Sequence, residues 1–310
     1  MIKKGEQQPS GETMPLVSVH IITYNQKQFI HETLRSVLDQ DYESMEIVVA
    51  DDGSTDGTAD IILDYARRYP DKIVPLVGGP NLGVTGNSNR GLAACKGKYI
   101  AFLGGDDVFL PHKLSKQVEW LEADNARILC YHDIEYFDSA SGNKLGTGFE
   151  KSKPRTGDAS LLVKHGLFFG GSTVMVRNPR HWNIIFNADI PVASDWLFWF
   201  EMVEKNQGTL GFIEGVYARY RRHATSVTAR GNHGLHDMLK TVSVMRTYHK
   251  YGYKCAQMEA QIYFLGCIGK LKKGSISGFI HMFLKMMNAC YFVPIYPVRL
   301  LLCRLLRMRI

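Results

Sequence analysis

The sequence predicts an α/β fold: a mostly parallel central sheet with helices on both faces, followed by a helical C-terminal extension. Over the first 140 residues, short apolar runs alternate with segments of helical periodicity, which is typical of strand–helix–strand units. The runs are almost continuously apolar, as expected for parallel strands that are buried on both faces. The end of the chain combines Leu and Arg in an amphipathic pattern, which favours helices there.

The first half of the chain contains five predicted strands. They lie at 17–23, 46–50, 73–77, 99–103 and 128–134. Apolar residues at helical spacing predict helices over 28–40 and 57–69, and Pro111 stands where a third helix would begin.

A polar stretch at 140–160 predicts a boundary inside the domain. Beyond it we expect a strand at 170–177, a helix with Asp195 at its head that stops at Gly208, and a strand at 211–228 that ends in a basic cluster. The predicted divisions of the chain are a disordered N-terminus (1–15), two halves of one domain (16–140 and 141–235) and a C-terminal helical region (236–310).

Polar side chains follow three of the predicted strands, at the point where each strand ends. They form the segments Thr23-Tyr24-Asn25, Asp51-Asp52-Gly53-Ser54 and Gly104-Gly105-Asp106-Asp107. Each segment alone also suits a turn or a helix cap. Because ligands of such sheets bind beyond the carboxyl ends of the strands, all three together predict a binding site.

The adjacent carboxylates Asp106 and Asp107 follow a buried strand. Two like charges in such a place are unfavourable unless a positive group lies beside them. The sequence therefore predicts a cationic partner for this pair.

The net charge of +7 is unevenly distributed. Residues 251–310 contain nine Lys or Arg and one acidic residue, which leaves 28 basic and 29 acidic residues in the first 250. This distribution argues against a nucleic-acid groove on the main domain and predicts an anionic surface as the partner of the C-terminus. The six cysteines are scattered without C-x-x-C spacing, which favours reduced thiols over disulfides or a zinc site.

Four segments carry a resemblance to a known family. "VSVHIITYN", "QDYESMEIVVADDGSTDGT", "NLGVTGNSNRGLAACKGKYIAFLGGDD" and "ASDWLFWFEM" occur in the order and spacing of family 2 glycosyltransferases. Over about residues 16–225 the chain resembles this family, whose members have the GT-A fold and invert the configuration of the transferred sugar.

The resemblance implies a role for each candidate site residue. Asp107 would bind a divalent cation, Mn²⁺ or Mg²⁺, on the diphosphate of a nucleotide sugar, and Asp106 would bind the ribose or share the metal. Asp195 matches the catalytic base. The nucleotide would be bound by Thr23, Tyr24, Asn25 and Asp52, while Arg221 and His223 would reach the diphosphate or the metal.

The sequence departs from the family pattern in three places. Gly104 stands where the common D-x-D-D motif has its first Asp, Ser88 stands where many members have Arg, and Ser194 replaces the Glu that often precedes the base. Loss of the Arg suggests that a diphosphate contact is missing or is supplied by Arg90 or by the 219–223 cluster.

Residues 276–310 are predicted to lie on a membrane. Pro294 and Pro297 interrupt the apolar run, and Arg residues then alternate with Leu, which is typical of a basic amphipathic helix on an anionic bilayer. A helix packed on the domain or in an oligomer interface, and a membrane-spanning segment, remain alternatives. We expect a peripheral protein on the cytoplasmic, inner face of the plasma membrane.

The resulting hypothesis is an inverting, metal-dependent glycosyltransferase that moves one sugar from a nucleotide-diphosphate sugar, with UDP favoured by Asp52. In it, 16–140 bind the nucleotide sugar, 141–235 supply the base and bind the acceptor, and 236–310 associate with the membrane. The expected acceptor is a lipid-linked saccharide of bacterial surface polysaccharide synthesis. The alternative is a non-catalytic nucleotide-binding or membrane scaffold protein on the same fold. Nucleic acid is not an expected partner, and the sugar, the linkage and the oligomeric state remain open.

Overall fold

The computed structural model describes residues 14–150, 153–224, 226, 234–272 and 274–289. Most of the N-terminal segment expected to be disordered lies outside these residues. The first half contains β1 (Val17–Thr23), α1 (Lys27–Leu38), β2 (Met45–Asp51), α2 (Thr58–Arg68), β3 (Ile73–Leu76), α3 (Gly83–Ala94), β4 (Tyr99–Gly104), β5 (Val108–Phe109), α4 (Lys113–Glu122) and β6 (Arg127–Asp138). The second half contains β7 (Lys144–Thr147), α5 (Ser160–His165), β8 (Met175–Arg177), α6 (Asp195–Lys205), β9 (Thr209–Arg222), α7 (Gly234–Arg246), α8 (Gly252–Lys272) and α9 (Ile276–Ala289).

The strands form one sheet in the order β3-β2-β1-β4-β8-β6-β9-β5, with β7 beside β6. The first four strands in this order are parallel to one another. In the second half of the sheet, β6 and β9 are parallel to each other, but other pairs are antiparallel, so the sheet is mixed and the prediction of a mostly parallel sheet is confirmed only in part. There β8 runs antiparallel to β4 and β6, and β5 runs antiparallel to β9.

The two halves differ because their strands are connected differently. Parallel neighbours need long crossover connections, and helices α1, α2 and α3 provide them in the first half. Strand β8 instead follows a short 3₁₀ turn at Gly171–Thr173 and enters the sheet between β4 and β6 from the opposite direction.

Helix α3 is absent from the predicted helices. Its sequence, GVTGNSNRGLAA, has internal glycines and little apolar periodicity. It is anchored instead by polar side chains, since the Asn87 amide donates to the Ala50 carbonyl at 2.8 Å and Arg90 donates to the carbonyls of Gly78, Asp51 and Leu76. Tertiary hydrogen bonds therefore stabilise a helix that local patterning does not predict.

The largest hydrophobic core continues across both predicted internal boundaries. It joins β4 and β6 to α6, and it includes Val242 and Met245 of α7 and Cys255, Met258 and Ile262 of α8. Helix α7 and much of α8 therefore pack as part of the main domain, although they lie within the predicted C-terminal region 236–310. The cysteines at 95, 130, 255 and 267 are buried and free.

The last described helix presents an apolar stripe to solvent. Ile276, Ile280, Phe283, Leu284 and Met287 are exposed on α9. In the part of the chain that the structure describes, no helix has the length and apolar character required to cross a membrane. The Leu/Arg-rich end of the predicted membrane segment, 290–310, lies outside the described residues.

Lys113 is a fully buried lysine at the start of α4. Its ammonium donates to Gln117 Oε1 at 2.5 Å and lies 4.3 Å from the centre of the Phe109 ring. Burial lowers the pKa of Lys113 from 10.5 to about 7. Between these values the unfolded chain binds more protons than the native one, so stability must rise with pH.

We expect the free energy of unfolding to rise by about 2 kcal/mol from pH 7 to pH 9 through this group. Urea unfolding at the two pH values should show this rise in the wild type and lose it in Lys113→Met. Lys116→Met, which removes an exposed lysine of the same helix, should keep it. An unchanged rise in Lys113→Met would contradict the assignment to Lys113.

Candidate active site

The three polar strand ends lie next to one another because β1 is the central strand between β2 and β4. The Asp52 amide donates to the Thr23 carbonyl at 2.9 Å, and the Gly105 amide donates to the Ile22 carbonyl at 2.9 Å. The predicted juxtaposition of these segments is thus a direct result of strand order.

Gly105 lies in close contact with Thr23 at the end of β1. A Cβ atom at this position would lie 2.6 Å from Cβ of Thr23 and 2.7 Å from its hydroxyl. Side-chain atoms do not approach one another so closely, so only glycine lets the end of β4 lie against the end of β1.

Gly105→Ala is expected to destabilise the protein by about 1–3 kcal/mol because the added methyl group pushes the strand ends apart. Urea unfolding measures the change in the free energy of unfolding. Gly171→Ala is the control for stability, since a Cβ at Gly171 would have no neighbour within 4 Å. Equal stability of the two variants would contradict the prediction.

Asp107 is buried, and protein donors satisfy both of its carboxylate oxygens. The Ser172 hydroxyl donates to Oδ2 at 2.5 Å and the Arg221 amide donates to Oδ1 at 3.1 Å. Burial, followed by the nearby charge of Asp106, raises the pKa of Asp107 well above its ordinary value. The predicted electrostatic cost of the carboxylate pair is therefore present in the folded protein.

Asp106 is linked to two residues at the end of β9. Its Oδ2 lies 2.8 Å from His223 Nε2, and its carbonyl accepts from Arg221 Nε at 2.8 Å. Arg221 also forms a salt bridge with Glu32, and its guanidinium lies over the rings of Phe29 and Phe137. Arg221 is buried by these contacts. In this structure its guanidinium is therefore bonded to the Asp106 carbonyl and to Glu32.

The carboxylates and His223 have the chemistry of a divalent-cation site. Mg²⁺ prefers oxygen ligands and is commonly bound by one or two carboxylates together with substrate phosphates. Among the described residues, no group of three or more His, Cys, Asp or Glu could hold a metal ion. A cation at Asp106 and Asp107 would need further ligands, such as the phosphate oxygens of a substrate.

A cavity of about 150 Å³ connects this region with Asp195. It is lined by Gly104 and Ser172 on the side of the carboxylate pair, by Asp195 at the start of α6, and by His20 and apolar side chains. Burial raises the pKa of Asp195 to about 6 and lowers that of His20 to about 4. With these pKa values, Asp195 is mainly ionised near neutral pH and His20 is uncharged.

The predicted nucleotide-binding residues lie at the ends of β1 and β2. Tyr24 is exposed, and Thr23 donates from its hydroxyl to Gln26 Oε1 at 2.8 Å. Asn25 has a φ of 51° and accepts from the Thr55 amide at 2.8 Å. Asp52 is buried and accepts from the Leu82 amide at 2.7 Å through Oδ1.

The structure does not support Arg90 as a replacement for the missing diphosphate contact. Its guanidinium donates to three main-chain carbonyls beneath β2 and β3. Ser88, at the position where many family members have Arg, lines the cavity, and its carbonyl accepts from His20 Nε2 at 3.0 Å.

Ser172 and Glu32 belong to the site but were not predicted from the sequence. Ser172 lies within the segment predicted as a strand, and Glu32 lies in the middle of α1. Neither position carries a local signal, because each reaches Asp107 or Arg221 only through tertiary packing.

Comparisons with known proteins place these features in a family. The family model "Glycosyl transferase family 2" matches residues 18–181. An uncharacterized glycosyltransferase of Haemophilus influenzae is 29% identical over 244 residues, covering 74% of this chain and 73% of the relative. An uncharacterized protein of Mycobacterium tuberculosis is 33% identical over 215 residues, and the match spans 68% of this chain but only 60% of that relative.

Two further matches carry more specific names. Escherichia coli WfaP, named a UDP-Glc:alpha-D-GlcNAc-diphosphoundecaprenol beta-1,3-glucosyltransferase, is 30% identical over 224 residues, covering 70% of this chain and 81% of WfaP. The crystal structure of Staphylococcus aureus TarS 1–349 in complex with UDP-GlcNAc superposes with a TM-score of 0.65 at 17% identity, covering 89% of this chain and 81% of that chain. At this identity the TarS match shows a shared fold.

Proposed function

The chain belongs to glycosyl transferase family 2, and we propose that it transfers one sugar from a nucleotide-diphosphate sugar to an acceptor hydroxyl with inversion. The observation that carries the proposal is the cavity that Asp195 shares with Ser172, the hydrogen-bond donor to Asp107. A carboxylate placed across a cavity from a cation site is what a single displacement requires.

The nucleotide would bind beyond the ends of β1 and β2. Asp52 offers Oδ2 to an N–H of the base, since its Oδ1 is bonded to Leu82, and this preference suits uracil. Exposed Tyr24 provides a ring against which the base can stack. A UDP-sugar is therefore the proposed donor, in agreement with the name of WfaP.

Asp107, Asp106 and His223 would hold Mn²⁺ or Mg²⁺ at the diphosphate. When bound, the cation supplies positive charge that stabilises the leaving nucleoside diphosphate. The main-chain amide of Arg221 donates to the Asp107 carboxylate, and its guanidinium donates to the main-chain carbonyl of Asp106.

Asp195 would act as the general base. Its carboxylate takes the proton of the acceptor hydroxyl while that oxygen forms a bond to the anomeric carbon. The bond between the anomeric carbon and the diphosphate oxygen breaks on the opposite side, and the electron pair leaves with the nucleoside diphosphate. Apolar side chains in the cavity wall, among them Phe102 and Trp199, would limit access of water to the reacting centre.

A lipid-linked saccharide is the proposed acceptor, as in bacterial surface polysaccharide synthesis. The name of WfaP specifies such an acceptor, a sugar on diphosphoundecaprenol. That relationship covers most of both chains, so the acceptor class is a reasonable extension from it.

The exposed stripe of α9 would bring the protein to its acceptor. Its apolar side chains face solvent, and the sequence that follows is rich in Leu and Arg, which suits an anionic bilayer. The proposed location is the cytoplasmic face of the plasma membrane.

Sedimentation with phosphatidylglycerol vesicles should remove the full chain from solution, and Phe283→Asp should weaken this binding. Equal binding to phosphatidylcholine vesicles would contradict the proposal that anionic lipids attract the basic C-terminal sequence.

The activity is tested by release of nucleoside diphosphate from a panel of nucleotide sugars, with undecaprenyl-diphosphate-linked GlcNAc as acceptor. We expect release from one donor, dependence on Mn²⁺ or Mg²⁺, and loss on chelation. Donor binding without turnover in the presence of membrane extract would favour a non-catalytic nucleotide-binding protein on the same fold.

A further inference from the structure

The segment that precedes Asp195 is held by hydrogen bonds from two helices, α3 and α7. We call residues 190–194 the base loop. Within it Ile190 and Ser194 are buried, and the loop leads directly into α6, which begins at Asp195.

Thr85 of α3 binds the loop at both ends. Its hydroxyl donates to the Ile190 carbonyl at 2.6 Å, and its amide donates to the Pro191 carbonyl at 3.3 Å. The Ser194 hydroxyl lies 2.8 Å from Thr85 Oγ1. Because the Thr85 proton is directed at Ile190, Ser194 is the donor in this pair.

Asp237 of α7 binds the middle of the loop from the other side. Its Oδ2 accepts from the amides of Val192 and Ala193 at 3.2 and 3.0 Å. Asp237 is only 2% exposed, and a buried carboxylate that accepts two main-chain amides is a strong, directional contact.

Ser194 occupies the N-cap position of α6 but makes no capping hydrogen bond. Such a serine ordinarily accepts from an amide of the first turn. Here its hydroxyl is directed to Thr85 instead, so the start of α6 is fixed to α3. Helix α3 is in turn bonded to the end of β2 through Asn87.

We propose that Thr85 and Asp237 are positioning residues that fix the base loop, and with it the Asp195 carboxylate, relative to the nucleotide-binding strand ends. The inference rests on the proposed function, because it assumes that Asp195 accepts a proton. It assigns to α7 a role in catalysis, although the sequence places α7 in the C-terminal region. Small displacements of a reacting group cost about 100-fold in rate.

The variants are Thr85→Val and Asp237→Leu, with Thr85→Ser as the conservative replacement that retains the hydroxyl. The control is Asp189→Asn, which breaks the exposed ion pair of Asp189 with Lys240 of α7. We expect Thr85→Val and Asp237→Leu, which lack the groups that bind the loop, to lower kcat by about 10- to 100-fold, with UDP affinity and donor KM within about twofold. Thr85→Ser and the control should keep kcat within about threefold of wild type.

A merely structural role is separated by combining each variant with Asp195→Asn. Once the base is gone, its position no longer matters, so Thr85→Val should not lower the residual rate further. A further fall of the same size, or a loss of UDP affinity that matches the loss of kcat, would overturn the inference. Full turnover by Asp195→Asn itself would instead overturn the proposed function. If Asp237→Leu does not fold, the comparison of Thr85→Ser with Thr85→Val tests the inference by itself.

Discussion

Asp195→Asn is expected to lower kcat by about 10²- to 10⁴-fold, the range of general acid–base catalysis, and to leave UDP affinity within about twofold. Asparagine has nearly the same shape as aspartate but cannot take the acceptor proton. Its Oδ1 can still accept from the Trp196 amide, as Asp195 does at 2.9 Å. Single-turnover kinetics with titration calorimetry separate the chemical step from binding.

The raised pKa of Asp195 also predicts how kcat decreases at acidic pH. Burial raises the pKa of Asp195 to about 6, and the base must be ionised to act, so kcat should fall about tenfold per pH unit below pH 6. Asp189→Asn, which removes an exposed carboxylate six positions earlier, should keep both the rate and this decrease. A residual rate in Asp195→Asn close to that of wild type would assign the proton to another group.

Asp107→Asn is expected to reduce turnover by at least about 10²-fold, because it removes a charged ligand from the proposed cation site. The free energy of unfolding without metal should instead rise in this variant. The native pKa of Asp107 is raised, mainly by burial, so the native state binds more protons than the unfolded chain. Wild-type stability without metal therefore falls as pH rises from 4 through this raised pKa, and the neutral amide removes that loss.

Manganese titration of activity and thermal unfolding between pH 5 and pH 8 measure the two effects. The control is Asp64→Asn on α2, where Asp64 is exposed and paired with Arg67 and Arg68. Wild-type turnover by Asp107→Asn, with an unchanged response to Mn²⁺, would remove Asp107 from the cation site. If the wild type remained active in the presence of a chelator, the proposal that turnover requires a divalent cation would be wrong.

Much of the first half of the fold can be predicted from the sequence, because the patterns that indicate its strands involve neighbouring residues. The strands β1, β2 and β4 are apolar runs whose polar ends lie together once the strands are parallel neighbours. The site residues at these ends follow from the rule that ligands bind at the carboxyl edge of such a sheet. Asp195 is predictable only with the family pattern, since an acidic residue in the first turn of a helix is common for reasons unrelated to catalysis.

The second half is less predictable because its direction and contacts depend on distant partners. Strand β8 is too short for its sequence to fix its orientation, and its two neighbours determine it. Arg90 and Arg221 illustrate the same limit. Both are basic residues near the expected diphosphate, yet one is bonded to main-chain carbonyls and the other to Glu32 and Asp106.

The sequence by itself determined the fold class, the family and the strand ends that form the site, because hydrophobic periodicity and short polar motifs act over neighbouring residues. Only the tertiary structure decided how α3 and α7 hold the base loop and how Ser172 and Arg221 support Asp107. Those contacts join residues far apart in the chain: Thr85 and Ser194 are separated by 109 positions, and Asp107 and Arg221 by 114. Hydrogen bonds over such separations leave no periodic signal, because they form only after the sheet has brought the segments together.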